Sequence, residues 1–232
     1  MSVDLRIVEV RIGDDPDSWR RAGFAIDREG CAQVSSLRLR FVGSDEGRGI
    51  TRWALSGVAS SAVDGLAGEV AAPGAPVATG APVVHPNTTI VLDHLVIATP
   101  DVSRTVDAFR ALGCEPRRER EAGTESAPLR QVFVRAGEVI IEIVGPRKPT
   151  PGSRAAKHAA ASFWGLAFTV ADLDACVATL GDHCGSARDA VQPGRRIATL
   201  RHEPLGISVP TAFMSATSTR ASVPSDRSAG SP

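Results

Sequence analysis

A pattern that occurs twice along the 232 residues constrains the fold of this chain more than any other feature. Residues 92–101 read as a short apolar strand, interrupted by His94, that leads directly into a helix. A later stretch repeats this order, and aligning the helix starts at Asp101 and Asp172 sets His94 opposite Gly165. A repeat of about 70 residues predicts paired modules that bury one shared face.

The strands that close the two copies follow the same repeat. Residues 137–144 read as a closing strand and match 206–213, so that Glu142 stands opposite Thr211. Residues 4–56 show strand, helix and further strands in a looser form. We therefore predict an α+β fold of repeated βαβββ modules, of which two are clear and the N-terminal one has diverged.

Changes in composition mark the boundaries between the modules. Ala, Gly, Pro and Ser dominate the residues before the first clear module, which is typical of a linker. Part of 65–72 could instead complete a strand or turn of the N-terminal unit. Small, polar and charged residues after Ser215 indicate a disordered tail. The predicted order is a diverged module at 1–57, a linker at 58–87, a module at 88–147, a connection at 148–161, a module at 162–215 and the tail at 216–232.

Composition and missing motifs exclude several classes of function. The chain has 26 basic and 26 acidic side chains, so it offers no basic surface for nucleic acid or an anionic membrane. It has no apolar run of about 20 residues and no signal-peptide pattern, so we expect a cytoplasmic protein with four reduced cysteines. Gly-rich phosphate loops and the GxSxG and HExxH motifs are absent, which excludes the nucleotide hydrolases, α/β-hydrolases and zincins that use them.

Three segments of the clear modules, residues 92–97, 139–146 and 164–173, resemble the vicinal oxygen chelate superfamily of glyoxalases and bleomycin-resistance proteins. The resemblance implies a cup-like sheet that holds a small organic molecule. It also implies lyase, isomerase or dioxygenase-type chemistry assisted by a divalent metal such as Zn, Mn, Ni or Fe. The alternative that it implies is a non-catalytic protein that sequesters a small molecule, as bleomycin-resistance proteins do.

The resemblance makes His94 and Glu142 candidate metal ligands, because family ligands often are a His on the first strand and a Glu on the last strand of a module. Strand alternation sets His94 on one face with Leu92 and Val96. Glu142 alternates with apolar neighbours, and a buried carboxylate must be paired, protonated or metal-bound. The two side chains are therefore either metal ligands or a catalytic acid-base pair.

The matching positions of the other modules weaken the metal hypothesis. They hold Gly165, Thr211 and, in the N-terminal module, Val8, and none of these is a good ligand for Zn or Mn. Family enzymes generally present three or four protein ligands, whereas this chain supplies two at those positions. Water, substrate or a neighbour such as Gln131 would have to complete the site.

Three further residues are candidates for ligand binding. Trp164 can form a flat apolar wall, and Arg195 or Arg196 can clamp a carboxylate or phosphate with its guanidinium group. Adjacent residues of a strand face opposite ways, so one of the two arginines reaches the cup interior. The alternatives are core packing for the tryptophan and a solvated strand edge for the arginines.

Two expectations concern the rest of the chain. His85, His158 and His202 fall in predicted linkers or turns, so we expect them to be solvated. An odd number of modules leaves one face without a partner, and we expect a homodimer to cover it, although a packed linker would serve equally.

Overall fold

A computed structural model of the chain describes residues 4–72, 83–148 and 159–217. These residues form a five-stranded N-terminal sheet and an eight-stranded C-terminal sheet. No helix within these ranges has the length and apolar character needed to span a bilayer.

The C-terminal sheet contains two consecutive βαβββ modules. The first comprises β6 (Thr89–Ala98), α2 (Val102–Ala111), β7 (Pro116–Gly123), β8 (Pro128–Ala136) and β9 (Val139–Pro146). The second comprises β10 (Ser162–Val170), α3 (Leu173–Leu180), β11 (Arg188–Asp189), β12 (Arg196–Thr199) and β13 (Thr211–Ser215). The strand order is β11-β12-β13-β10-β6-β9-β8-β7, with the two first strands, β6 and β10, paired antiparallel at the centre. The predicted α+β fold with two clear βαβββ modules is confirmed.

The recurring aspartates that revealed the repeat are helix caps. The carboxylate of Asp101 accepts a hydrogen bond from the backbone N–H of Arg104 at 3.1 Å, at the start of α2. The carboxylate of Asp172 accepts one from the N–H of Ala175 at 2.9 Å, at the start of α3. Each aspartate thus satisfies a backbone donor that has no partner within its helix, and it ends the preceding strand at the same point of both modules.

The N-terminal sheet is a shortened version of the same arrangement. It contains β1 (Arg6–Ile12), α1 (Pro16–Arg21), β2 (Cys31–Val34), β3 (Leu37–Phe41), β4 (Ile50–Ser56) and β5 (Gly68–Val70) in the order β2-β3-β1-β4-β5. β1 is parallel to β3, as the first and last strands of a module are, so this module closes with one strand fewer than a complete βαβββ unit. β4 then pairs antiparallel with β1 and parallel with β5, as β10 does with β6 and β13.

These pairings differ in two ways from the sequence prediction. Residues 49–56, which we expected among the further strands of the N-terminal module, open a remnant of a second module instead of closing the first. The other strand of that remnant, β5, lies inside the predicted linker at 58–87. The predicted tail at 216–232 falls almost entirely outside the described residues, as does most of the predicted connection at 148–161.

The N-terminal sheet packs on the same face of the C-terminal sheet as its helices. The ring of Trp53 on β4 lies 5.1 Å from that of Phe163 on β10 and 6.2 Å from that of Phe109 on α2, measured between centroids. The ring of Phe24 lies 5.1 Å from that of Phe168. One continuous hydrophobic core therefore fills the space between the sheets. The opposite, concave face of the C-terminal sheet is left open.

A buried carboxylate joins the N-terminal sheet to the first complete module. Asp64, in the loop between β4 and β5, accepts hydrogen bonds from Arg104 Nε at 2.7 Å and from Thr105 Oγ1 at 2.5 Å, both on α2. Its own backbone carbonyl accepts from the N–H of Ala161 at 3.0 Å. The N-terminal sheet therefore also fixes the segment that enters β10. The unpartnered module face, which we expected a homodimer or a packed linker to cover, is thus partly covered by other parts of the same chain. Homodimerisation stays a prediction.

His85 is buried rather than solvated, contrary to the expectation for a linker residue. Its Nδ1 accepts a hydrogen bond from the N–H of Ala25 at 3.0 Å, which leaves the ring proton on Nε2 to donate to the carbonyl of Gln33 at 3.0 Å. Burial lowers the pKa of His85, and the hydrogen bond to Gln33 opposes this only in part. Of the other two histidines, His202 bonds the backbone of Ile207 through Nδ1, and His158 lies outside the described residues.

We predict that His85 makes the protein sensitive to mild acid. A histidine whose pKa is lower in the folded than in the unfolded state binds more protons when unfolded, so stability falls as pH drops below the unfolded pKa of about 6.5. The free energy of unfolding of the wild type, measured by urea denaturation between about pH 5 and pH 8, should fall on acidification by up to about 1.4 kcal/mol per pH unit from this group. In a His85→Gln variant the free energy of unfolding should fall less on acidification than in the wild type. The same pH dependence in the variant and the wild type would contradict the prediction.

Candidate functional site

The concave face of the C-terminal sheet contains a cavity of about 330 Å³. His94 on β6 and Glu142 on β9 line it, so the structure brings the two predicted site residues to one cavity. Apolar side chains from several strands form most of the remaining wall, among them Phe133, Ile140, Ile197 and Met214. An apolar cavity with a few titratable groups is the usual form of a small-molecule site.

A β-bulge in β6 determines which way His94 points. In the pairing of β6 with β10, Ala167 stands opposite His94 and the next residue, Phe168, stands opposite Leu92, so that Asp93 is one extra residue on β6. Leu92 belongs to the hydrophobic core, whereas His94 lines the cavity. Simple alternation, which predicted Leu92 and His94 on one face, is therefore wrong at this point.

The bulge brings Asp93 against the histidine. Oδ1 of Asp93 lies 2.6 Å from Nδ1 of His94, so the carboxylate faces this ring nitrogen at close range. Oδ2 accepts a hydrogen bond from Thr169 Oγ1 at 2.5 Å and lies 2.7 Å from an Arg195 nitrogen. Burial raises the pKa of Asp93, but contacts with His94 and Thr169 and the charge of Arg195 outweigh it and hold that pKa well below its usual range. Asp93 is thus an anion that engages one ring nitrogen of His94.

Arg195 is buried in the same network. Its Nε donates to the carbonyl of Ser215, and its terminal nitrogens donate to Gln192 Oε1 and Thr169 Oγ1, each at 2.8 Å. Arg196 forms an exposed ion pair with Asp174 at 2.9 Å. Neither arginine lines a described cavity on the concave face. Arg195 is the buried arginine of the two, but it contacts Asp93 instead of reaching the cup interior.

Glu142 ends a chain of polar groups on the cavity wall. Arg120 Nε donates to Gln131 Oε1 at 2.5 Å, and Gln131 Nε2 donates to Glu142 Oε1 at 2.5 Å. The guanidinium of Arg120 also lies 5.6 Å from the ring centroid of Phe133. Burial raises the pKa of Glu142, against the charges of His94 and Arg120, which lower it. Glu142 therefore retains a proton to higher pH than an exposed glutamate.

The positions related to His94 and Glu142 in the second complete module supply no donor. β9 sets Glu142 beside Val96, and the matching residue of β10, Ala167, stands beside Ala212 rather than Thr211. The sequence alignment predicted Thr211 as the counterpart of Glu142, whereas the strand pairing gives Ala212, one residue later. The closing strand of this module begins at Thr211 and not at 206. The position of His94 is occupied by Gly165, where a Cβ atom would lie 2.7 Å from the carbonyl oxygen of Pro210. A ligating side chain there would require the backbone to move.

His94 and Glu142, as the two donors at the cavity, do not fit the metal site with three or four protein ligands that the family resemblance implies. Among the described residues, no three His, Cys, Asp or Glu side chains are grouped so that they could hold a metal ion. Val8, the counterpart in the N-terminal sheet, lines a different cavity. His94 also has one ring nitrogen engaged by Asp93. Metal binding by His94 and Glu142 alone is a hypothesis that the titration described below tests, and no step of the proposed reaction depends on it.

Trp164 lines a second cavity on the same concave face. This cavity has a volume of about 580 Å³ and is lined in part by Gln131. Glu142 belongs to the walls of both cavities. A second bulge, in which Trp164 is an extra residue on β10, leaves its side chain 55% exposed. The predicted flat apolar wall therefore stands beside the second cavity and away from His94.

Comparison with known proteins shows which family part of this chain is similar to. Residues 93–199 match the family model described as Glyoxalase/Bleomycin resistance protein/Dioxygenase superfamily. No curated protein matches the sequence.

Two solved structures share the fold over most of this chain. A variant of 4-hydroxymandelate synthase from Streptomyces coelicolor has a TM-score of 0.60 and 14% identity over 90% of this chain and 92% of that one. Catechol 2,3-dioxygenase has a TM-score of 0.56 and 14% identity over 94% of each chain. A methylmalonyl-CoA epimerase from Mycobacterium tuberculosis has a TM-score of 0.40 and 20% identity over 55% of this chain and 89% of that one.

We predict that Asp93→Asn destabilises the protein strongly. The substitution preserves size but leaves the buried Arg195 cation without its carboxylate, and breaking a buried ion pair in this way costs about 3 kcal/mol. Urea denaturation of purified variants measures the change. Asp174→Asn, which removes the exposed partner of the adjacent Arg196, is the matched control and should leave the denaturation midpoint nearly unchanged. Equal effects of the two substitutions would contradict the structural assignment.

A second prediction concerns metal affinity. Because the cavity supplies two protein donors, Zn²⁺, Mn²⁺, Ni²⁺ or Fe²⁺ added to protein dialysed against a chelator should bind no more tightly to the wild type than to His94→Ala. Isothermal titration calorimetry with each metal tests this. One equivalent of metal that survives gel filtration in the wild type and is lost from His94→Ala would restore the metal hypothesis.

Proposed function

We propose that the concave face of this chain catalyses proton transfer on a small organic molecule, and the match of residues 93–199 to the glyoxalase, bleomycin-resistance protein and dioxygenase superfamily supports this proposal. The observation that carries this proposal is the convergence of His94 and Glu142 on one largely apolar cavity. Enzymes that use acid-base catalysis usually have two titratable groups whose different surroundings separate their pKa values. The reaction class is an isomerase or a lyase.

In this proposal His94 is the general base. Asp93 engages Nδ1, which holds the proton on that nitrogen and leaves Nε2 to accept one from the substrate. Arg195 and Thr169 hold Asp93 in place as an anion. The proton comes from a carbon next to a carbonyl group, and its electron pair moves onto the carbonyl oxygen to give an enolate.

Glu142 is the general acid. Its raised pKa keeps the carboxyl protonated to higher pH than usual, so it can donate to the enolate, either at oxygen or at carbon. Return of a proton to carbon gives an isomer, whereas loss of a leaving group from the enolate gives a lyase product. Gln131 fixes the orientation of the carboxyl group, and the nearby guanidinium of Arg120 stabilises negative charge that develops in the cavity.

A second function, sequestration of a small molecule without turnover, is favoured by one specific observation. Gly165 and Ala212 replace the side chains that would face the cup from the second module, and Pro210 closes the glycine position to any side chain. A cup with one functional half binds a ligand without necessarily activating it. Binding of a ligand in the cavity with no exchange or conversion would favour this alternative.

We predict that the protein catalyses exchange of carbon-bound hydrogen for deuterium and that this activity requires both titratable residues. Proton NMR in D₂O of small ketones, 2-oxo acids and acyl thioesters, each incubated with the protein, detects the exchange. His94→Ala and Glu142→Gln should each reduce the rate by about 10²- to 10⁴-fold, because each removes one proton-transfer group.

The control for this experiment is Glu121→Gln, which removes a carboxylate from the same sheet at an exposed ion pair with Arg147. Its exchange rate should equal that of the wild type. Exchange that persists in both His94→Ala and Glu142→Gln would overturn the assignment of these residues. Absence of exchange across all three compound classes, together with ligand binding, would support the sequestering function instead.

A further inference from the structure

Strand β7 sorts its charges between the two faces of the sheet. Glu119 pairs with Arg130 at 2.6 Å and Glu121 pairs with Arg147 at 3.1 Å, so both carboxylates of the strand are neutralised away from the cavity. Arg118 and Arg120 alternate with them and line the cavity. The acidic side chains of β7 therefore do not compensate its inward-facing arginines.

A bulge adds a third arginine to the cavity wall. Pro116 stands opposite Val134 and Arg118 opposite Phe133, so Arg117 is an extra residue, and it lines the cavity too. Arg135 on β8 is the fourth arginine, and its Nε donates to the carbonyl of Gly137. Within the described part of the chain, Arg117 and Arg118 have neither a carboxylate partner nor a side-chain hydrogen bond.

The cavity is positively charged as a result. Glu142 is the one acidic side chain among its described lining residues, so it offsets at most one of four guanidinium charges. Guanidinium groups present paired donors that match the oxygens of a carboxylate or phosphate. Unpaired cations on the wall of a concave site raise the local concentration of anions and their rate of entry.

The floor of the cavity and its neighbour indicate the rest of the ligand. Phe133, Ile140 and Met214 offer apolar contacts below the arginines, which suits a carbon skeleton rather than an inorganic ion. The second cavity begins on the other side of Glu142 and ends at the exposed face of Trp164. A ligand held by the arginines therefore has its skeleton beside Glu142, with room to continue towards the tryptophan.

We infer that the ligand of this cup is an organic anion, whose carboxylate or phosphate group is bound by Arg117 and Arg118 and whose apolar skeleton lies against Phe133 and Glu142. This inference rests on the proposed function for the identity of the reacting site, but it specifies the substrate class independently of turnover. Arg120 holds Gln131 and supplements the anion site. The anionic group of the substrate then positions its reacting carbon beside the proton-transfer side chains of His94 and Glu142.

Binding of matched probes tests the inference. Benzoate, phenyl phosphate and uncharged benzamide share an aromatic ring, and inorganic phosphate lacks it. Isothermal titration calorimetry at low salt should show benzoate or phenyl phosphate binding at least about tenfold more tightly than benzamide and inorganic phosphate. Comparison of benzoate with phenyl phosphate shows which anionic group is preferred. The affinity should fall as salt is raised.

Two double variants with equal net charge locate the site. Arg117→Gln with Arg118→Gln should weaken binding of the preferred anion about tenfold or more. Arg147→Gln with Arg196→Gln removes the same charge from exposed ion pairs outside the cavity and should change affinity less than about twofold. Equal losses in the two double variants, benzamide bound as tightly as benzoate, or no anion binding at millimolar concentration would overturn the inference.

Catalytic variants separate this inference from the proposed reaction. Glu142→Gln should bind the preferred anion at least as tightly as the wild type, because it removes the negative charge of the cavity, while hydrogen exchange is lost. Anion binding without exchange in the wild type would refute proton transfer and leave the anion site standing. Exchange on uncharged ketones alone would refute the anion site and leave proton transfer standing.

Discussion

The buried pair between Asp93 and Arg195 is the interaction on which the concave face depends. Asp93 lies on the first strand of one module, and Arg195 lies at the entry to β12 of the next, with Thr169 of β10 between them. The pair therefore joins β6 and β10, the two central strands of the eight-stranded sheet, to the segment that enters β12, and it sets the position of His94 at the same time. Removing either partner leaves an uncompensated charge in a low-dielectric interior, which costs far more than a surface ion pair.

The sequence repeat was sufficient to predict the fold of the C-terminal sheet because it depends on regular physical periods. Strand alternation, helix spacing and the paired caps Asp101 and Asp172 all recur, and each has one structural solution. The N-terminal sheet was less predictable, because a strand that opens a shortened module has the same alternation as one that closes a module. The strand with which β4 pairs depends on contacts between residues that are far apart in the sequence.

Details of the candidate site were harder to predict, and bulges are the main reason. One inserted residue reverses alternation, so the role of Asp93 was missed although it stands directly before His94. The available signal was a charged residue at a position where an apolar strand should point into the core. The inward arginines of β7 were missed because the strand as a whole reads as a charged surface segment. The pairing of its glutamates on the outer face becomes visible only with the fold.

The place of β7 at the edge of the sheet separates ligand recognition from folding. None of its residues is buried, and the strand contributes no side chain to the hydrophobic core. Its inward side chains can therefore be exchanged at little cost in stability, while Asp93, His94 and Glu142 stay fixed on the central strands. A lineage carrying this module could acquire a new ligand through substitutions in one exposed strand. Substitutions at Arg117 and Arg118 can therefore change which ligand binds without replacing His94 and Glu142, the proton-transfer residues.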